Sequence, residues 1–176
     1  MKKLLLSLLF VLPLCGFAQK GMQGVGVNLG LGFTFDNVEF AINPHLNYQK
    51  HLSNRFRLSC SLGLYSACYY HDDYYYSEYW GWREYGYSDE TYYCLIAADV
   101  HYFFNQPRRL RPYAIGGILF GVGHGDGYFP NAVGGVKLGL GLTYRLGYHW
   151  AMNLEAPLYL MVAGGFLPTL GLTYTF

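Results

Sequence analysis

The chain has 176 residues, enough for one domain, and carries a formal charge of +1 at pH 7. Only 13% of its residues are charged, whereas 19% are aromatic and 23 are glycine. Soluble domains carry roughly 25% charged residues, so this composition is unlike that of a cytosolic or a disordered protein, and the balanced charge argues against nucleic-acid binding.

The N-terminal segment has the pattern of a cleavable export signal. Two lysines precede an apolar run over 4–14, and the tripeptide Gly-Phe-Ala at 16–18 supplies small residues for cleavage. The run has about 11 residues, too few for the roughly 20 that a membrane-spanning helix needs. Cys15 leaves a lipoprotein signal as the alternative, although the preceding Leu14 is bulky for one. We predict cleavage after Ala18 and a mature chain over 19–176.

Beyond the signal, large apolar residues alternate with small or polar ones, which predicts strands. The first strand is the clearest, because Val25, Val27 and Leu29 alternate with glycines and an asparagine. The strands extend over about 10 to 12 residues, the length that crosses hydrocarbon at a tilt, and a soluble β-sandwich with shorter strands is the alternative. We predict further strands at about 39–49, 56–69, 92–104, 112–123, 136–145, 150–161 and 169–176, with bulges or strand ends at Pro44, Pro157 and Pro168. The faces of the fifth strand are not assigned.

The segment between the third and fourth strands, 69–93, is the distinctive part of the chain. It contains ten tyrosines, two tryptophans and six acidic residues, with Arg83 as its single basic residue. One interpretation is a hairpin whose aromatic residues form the outer interfacial belt. The other is a recognition surface, because aromatic rings stack on sugars and peptide groups. For the second interpretation the predicted ligand contacts near the tip are Tyr79, Trp80, Trp82 and Tyr85. The acidic cluster lacks the spacing of a calcium loop, so we predict no metal.

The cysteines lead to a prediction about the same hairpin. If Gly81 is its centre, Cys68 and Cys94 lie opposite each other and share the outward face of their strands. Export permits a disulfide, and this one would stabilise the fold by about 3 kcal/mol. We therefore predict a Cys68–Cys94 disulfide, with Cys60 left as a small apolar residue facing lipid.

Three stretches carry a resemblance to a known family. The last is Leu170-Gly171-Leu172-Thr173-Tyr174-Thr175-Phe176, and the others are Arg111-Pro112-Tyr113-Ala114, followed by glycines, and Gly-Leu-Gly-Leu-Thr-Tyr-Arg-Leu at 139–146. They resemble the small outer-membrane β-barrel proteins of the OmpA and OmpX kind, in the form common among Bacteroidota. The resemblance implies an eight-stranded antiparallel barrel in the bacterial outer membrane, surrounded by lipid and lipopolysaccharide. It also implies that Tyr174 and Phe176 belong to the signal read by the barrel-assembly machinery.

Charged residues fall on the predicted inward faces. Because an isolated buried charge is very costly, we predict a paired polar network inside the barrel. Its predicted members are His45, Arg57, Asp99, His101, Lys137, Arg145 and Glu155. A barrel of this size is filled by its own side chains, so a narrow channel for small solutes is the second hypothesis and not the first.

Catalysis is the remote alternative. Ser59 and Ser61 share an inward face with His101, as a lipid-modifying barrel enzyme would require, but a packed interior has the same residues and the chain has no nucleophile elbow. We predict a non-enzymatic outer-membrane barrel, without cofactor or metal, whose aromatic and acidic hairpin contacts a glycan or protein outside the cell.

Overall fold

The computed structural model describes residues 21–35, 38–77, 81–105, 109–124, 131–161 and 164–176. The predicted export signal and its cleavage point lie outside these residues. In the described part of the chain no helix is long and apolar enough to cross a membrane. The strands are β1 (Gln23–Thr34), β2 (Val38–His51), β3 (Phe56–Ser77), β4 (Gly81–Phe103), β5 (Leu110–His124), β6 (Ala132–Arg145), β7 (Trp150–Leu160), β8 (Gly165–Phe166) and β9 (Thr169–Thr175).

These strands form one antiparallel sheet that closes on itself. From β1 to β7 each strand pairs with the next one in sequence, and β8 and β9 both pair with β7 on one side and with β1 on the other. The Gln23 N–H donates to the Phe176 carbonyl oxygen at 3.1 Å, and the Phe176 N–H donates to the Gln23 oxygen at 2.8 Å. Since β8 and β9 are two parts of one strand, the barrel has eight strands, and the predicted fold class is confirmed.

The three prolines affect the strands differently. Pro168 lies at the interruption between β8 and β9, where a strand end was expected. Around Pro44 and Pro157, in contrast, β2 and β7 keep their register, so the bulges or strand ends predicted there are wrong. Proline removes only the hydrogen bond toward one neighbouring strand. Pro44 therefore still pairs with Leu29 of β1, while it has no paired residue on β3.

Alternation places each side chain on the inner or the outer face of the barrel. Leu46, Leu62 and Leu64 point outward and are more than half exposed, whereas the neighbouring Tyr65 and Ala67 are buried. Outward aromatic residues gather at the end of the barrel that carries both termini, here called the terminal end. They contact one another there, as the interfacial girdle of a membrane barrel does: Phe56 with Tyr102, Tyr102 with Phe104, and Trp150 with Tyr174.

At the opposite end, β3 and β4 continue beyond their neighbours. They have 22 and 23 residues and pair without interruption from Phe56 and Tyr102 to Ser77 and Gly81. The pairing of β2 with β3 begins only at Tyr69, and that of β5 with β4 stops at Tyr92. The backbone over 70–77 and 81–91 is therefore a two-stranded extension, here called the ribbon. Tyrosine favours strands, which explains why both strands extend further than we predicted.

The register of β3 against β4 shows that the predicted Cys68–Cys94 disulfide is wrong. Cys68 lies opposite Glu90, and Cys94 lies opposite Leu64. Because Ser77 pairs with Gly81, the hairpin centre comes before Gly81, and the two cysteines are four residues apart in register. At about 3.3 Å per residue this separation is about 13 Å, beyond the roughly 7 Å limit for a disulfide. Cys94 and Cys60 are free cysteines.

Mass spectrometry of unreduced protein checks this correction. After alkylation without a reductant, the peptide that contains Cys94 should carry the alkyl group, because its thiol is free. The reduced and alkylated protein is the control for complete labelling. A linked Cys68–Cys94 peptide would mean that β3 and β4 pair in a register shifted by four residues.

Candidate functional sites in the interior and the ribbon

The centre of the barrel holds one buried cation between two buried carboxylates. Lys137 Nζ of β6 donates to Asp99 Oδ2 of β4 at 2.9 Å and lies 3.5 Å from Glu155 Oε2 of β7. The Tyr113 hydroxyl of β5 donates to Glu155 Oε1 at 2.8 Å. All four side chains are at most 4% exposed, so the carboxylates depend on these partners for compensation of their charge.

Glycines on the inward face make these contacts geometrically possible. In register, Gly117 of β5 lies between Asp99 and Lys137, and Gly141 of β6 lies between Tyr113 and Glu155. A Cβ atom at Gly117 would contact the Asp99 carboxylate, and one at Gly141 would lie 2.7 Å from the Tyr113 hydroxyl oxygen. Because a glycine has no side chain, the polar side chains of the two neighbouring strands can contact each other over the space at that position.

A second cluster surrounds His101. The Nε and Nη2 atoms of Arg57 lie 3.0 Å and 2.6 Å from His101 Nδ1. Guanidinium is only a donor, so Nδ1 accepts from Arg57. The His101 ring also stacks on the Tyr113 ring, with centroids 4.9 Å apart and an interplanar angle of 13°. In the described residues no hydrogen bond joins His101 to Ser59 or Ser61, so the geometry of a serine nucleophile with its base is not assembled.

The remaining predicted interior residues occupy two places. His45 is buried, with its Nε2 accepting from Asn28 Nδ2 at 2.9 Å and its Nδ1 lying 3.2 Å from the Asn43 oxygen. Arg145 is only half-buried, at the last residue of β6 on the terminal end. The structure thus buries all the predicted network residues except Arg145.

Sequence reasoning missed Arg111 and Tyr113 as interior residues. Both point inward from β5 and are at most 2% exposed. Apolar residues occupy both faces of this strand, since Ile115 and Leu119 point inward while Ile118 points outward. Period-two alternation of hydropathy is therefore hidden in β5. The charge of Arg111, two residues before Tyr113, was the available signal for the inward face.

Described residues line two small cavities inside the barrel. One, at the terminal end beside Arg57 and Arg111, has about 30 Å³, and the other, beside His45 and Tyr159, has about 10 Å³. A cavity needs about 10–15 Å³ to hold a water molecule. Passage of a solute through either region would therefore require the surrounding side chains to move.

The ribbon places its aromatic residues on two faces. Trp82 pairs with Tyr76 and Tyr85 pairs with Asp73, so Trp82 and Tyr85 belong to opposite faces by strand alternation. The other predicted contacts, Tyr79 and Trp80, lie outside the described residues. We define the first face by Tyr74, Tyr76 and Trp82 and the second face by Tyr75, Tyr85 and Tyr87.

Comparison with known proteins agrees with this architecture. Residues 4–162 match the family model described as outer membrane protein beta-barrel domain. No curated protein matches the chain.

Solved structures of low sequence identity share the fold. The N-terminal β-barrel domain of Pseudomonas aeruginosa OprF is 16% identical, with a TM-score of 0.58 over 88% of this chain and 97% of that one. OprG of the same organism is 9% identical, with a TM-score of 0.63 over 89% and 95%. Ail of Yersinia pestis, solved with the heparin analogue sucrose octasulfate, is 11% identical, with a TM-score of 0.58 over 90% and 100%. At these identities the similarity concerns the fold alone.

Proposed function

Because the chain belongs to the family of outer-membrane β-barrel domains and is located in the bacterial outer membrane, we propose that it is a non-enzymatic surface protein whose ribbon binds a partner outside the cell. The observation that carries this proposal is the uninterrupted pairing of β3 with β4 as far as Ser77 and Gly81. Paired backbone holds the aromatic residues of the ribbon at fixed spacing. A partner therefore meets a surface that needs little ordering when it binds.

The lengths of the connections support an outward direction for the ribbon. Barrels of this kind have short turns on the periplasmic side and longer segments outside. At the terminal end, 52–55 joins β2 to β3, and 146–149 joins β6 to β7. The ribbon lies at the other end, and among the described residues it extends furthest beyond the barrel.

The composition of the ribbon supports a neutral or basic partner. Acidic residues lie opposite aromatic residues in the ribbon, since Glu84 pairs with Tyr74 and Asp73 pairs with Tyr85. Aromatic rings stack on sugars and peptide groups, whereas carboxylates repel polyanions. We therefore expect a neutral glycan or a protein surface, and not a polysulfated ligand such as the one solved with Ail.

A shortened ribbon tests the proposal. Asp72 pairs with Gly86, so replacing 72–86 by Asn-Gly places a two-residue turn between the paired residues His71 and Tyr87. The variant should keep its heat-modifiable gel mobility and lose all binding in a screen of neutral glycans and extracellular matrix proteins. Equal binding by both proteins would show that the ribbon is not the binding surface, and a failure to insert would show that it has a structural role.

Matched variants of the two faces locate the contact. One variant replaces the three aromatic residues of the first face by serine, and the other replaces those of the second face. We expect one of the two variants to bind about thirtyfold or more weakly, because buried aromatic anchors contribute about 2 kcal/mol or more. Replacement of the other face should change the affinity by less than about threefold. Equal losses from both faces would contradict a contact through a single face.

A further inference from the structure

We propose that the terminal end of the barrel binds a phosphate-type oxyanion between the side chains of Arg57, Arg111 and Arg145. The three arginines line one cavity of about 30 Å³, together with Gln49, Thr143 and Thr173. They come from β3, β5 and β6, so only the closed barrel brings them together. This site is distinct from the ribbon and does not depend on what the ribbon binds.

In the described part of the chain none of the three arginines forms an ion pair with a carboxylate, and Glu155 interacts with Arg57 only over a longer distance. The ion pairs found there join Lys137 to Asp99 and Glu155. The acceptors of the two buried arginines are neutral, since Arg57 donates to His101 and Arg111 donates to the Asn54 carbonyl oxygen. Buried positive charge without a counter-ion is costly, so an anion in this cavity would stabilise the folded barrel.

Stacking on Phe103 compensates the positive charge of Arg57 and Arg111 only in part. The guanidinium carbon of Arg111 lies 3.8 Å from the centroid of the Phe103 ring, and that of Arg57 lies 5.1 Å from it. Cation–π contacts hold both guanidiniums in position. They leave the positive charge in place, so the site is held ready for an anion without being neutralised.

Two unused donors line the same cavity. The Nε2 atom of Gln49 and the Nε atom of Arg111 are buried and have no hydrogen-bond partner. Gln49 is 3% exposed and Arg111 is 2% exposed, so bulk water does not compensate them. Both unused groups are donors, which suits a ligand that only accepts. A tetrahedral oxyanion accepts from several guanidinium and amide N–H groups at once.

The distribution of charge favours the approach of an anion from the terminal end. Exposed Lys50, Arg55 and Arg109 lie at that end of the barrel, outside the cavity. The described acidic residues other than the paired Asp99 and Glu155 occupy positions toward the ribbon end: Glu39, Asp72, Asp73, Glu84, Asp89 and Glu90. The terminal end therefore has a positive potential that raises the local concentration of anions.

Phosphorus NMR of the refolded barrel tests the site. In one arm, inorganic phosphate is titrated into the protein in an alkyl maltoside free of phosphate, and sulfate is added as the competitor. In the other, phosphatidylglycerol is added to the same micelles without inorganic phosphate. Saturable binding in the first arm identifies a free anion, and saturation in the second arm alone identifies a lipid headgroup. Either result supports an oxyanion site, whereas no saturation in either arm overturns the proposal.

Three variants locate the bound anion. Loss of a charge-assisted hydrogen bond weakens binding by roughly tenfold or more, which we expect for Arg145→Gln. Gln49→Met removes a neutral donor and should weaken binding by about threefold to tenfold. The matched control Lys50→Gln removes a positive charge at the same end but outside the cavity, and should change the affinity by less than about twofold. Equal affinity of Gln49→Met and the unaltered protein, or equal losses in all three variants, would overturn the site, even if Arg145→Gln fails to fold.

Discussion

Replacing Lys137 by methionine is expected to destabilise the folded barrel by about 3–5 kcal/mol, because it leaves two buried carboxylates without their cation. Lys137 Nζ is the partner of both Asp99, at 2.9 Å, and Glu155, at 3.5 Å. The Tyr113 hydroxyl would still donate to Glu155, so Asp99 would bear the greater loss. Unfolding in urea from lipid vesicles, followed by tryptophan fluorescence and gel mobility, measures the change.

Two further variants separate the lost ion pair from a packing defect. Lys50→Met removes an exposed lysine and should change the free energy of unfolding by less than about 0.5 kcal/mol. Combining Lys137→Met with Asp99→Asn and Glu155→Gln removes the uncompensated charges and should recover most of the lost stability, because uncharged replacements of a buried ion pair are often neutral. A single Lys137→Met variant as stable as the unaltered barrel would contradict the central ion pair.

Alanine at Gly117 is expected to destabilise the barrel by about 1–3 kcal/mol, whereas alanine at the adjacent Gly116 should be neutral or slightly stabilising. A Cβ atom at Gly117 would lie 2.6 Å from the Ala98 carbonyl oxygen and would also contact the Asp99 carboxylate. The backbone at Ala98 cannot move easily, and the Asp99 side chain is held in place by its ion pair with Lys137. A Cβ atom at Gly116 has no atom within 4 Å.

The pair is well matched, since the two residues are neighbours on β5 and differ only in the face they occupy. The same unfolding measurement applies to both variants. Because Gly117→Ala acts partly through Asp99, its cost should be smaller in the background that lacks the ion pair, which a double-mutant cycle measures. Equal effects at Gly116 and Gly117 would mean that their inward and outward assignments are wrong.

Both predictions depend on one arrangement. An inward-facing glycine on one strand leaves room for side chains of the two neighbouring strands to contact each other. Gly117 allows Lys137 to reach Asp99, and Gly141 allows the Tyr113 hydroxyl to reach Glu155. The glycines of the inward face thus have a defined purpose in the centre of the barrel. They give a narrow interior enough room for charged side chains to find partners.

Period-two alternation predicted the barrel and most of its faces, and it failed where hydropathy does not differ between faces. β1 and β6 have large apolar residues on one face and small or polar ones on the other, so their orientation followed directly. β5 has apolar residues on both faces, including Ile115 and Ile118, and its orientation could not be assigned. Charged residues on inward positions predicted that the interior would contain a polar network, but not which residue would pair with which.

The prediction of a Cys68–Cys94 disulfide was wrong for a related reason. Placing Gly81 at the hairpin centre was a local inference from a turn-forming residue. The register is set instead by the pairing of β3 with β4, which begins at Phe56 and Tyr102 and brings Cys94 opposite Leu64. A shift of the hairpin centre by two residues changes every pair in it by four. The positions of the two cysteines in the sequence could not reveal that shift.

The sequence by itself determined that the chain forms long amphipathic strands, that their apolar faces point outward and that charge lies inside, because side chains alternate along any strand. Only the tertiary structure decided that Lys137 lies between Asp99 and Glu155, and that Arg57, Arg111 and Arg145 share one cavity. These partners come from strands well separated in the sequence. They meet only because the sheet closes and fixes the register of every strand around the interior.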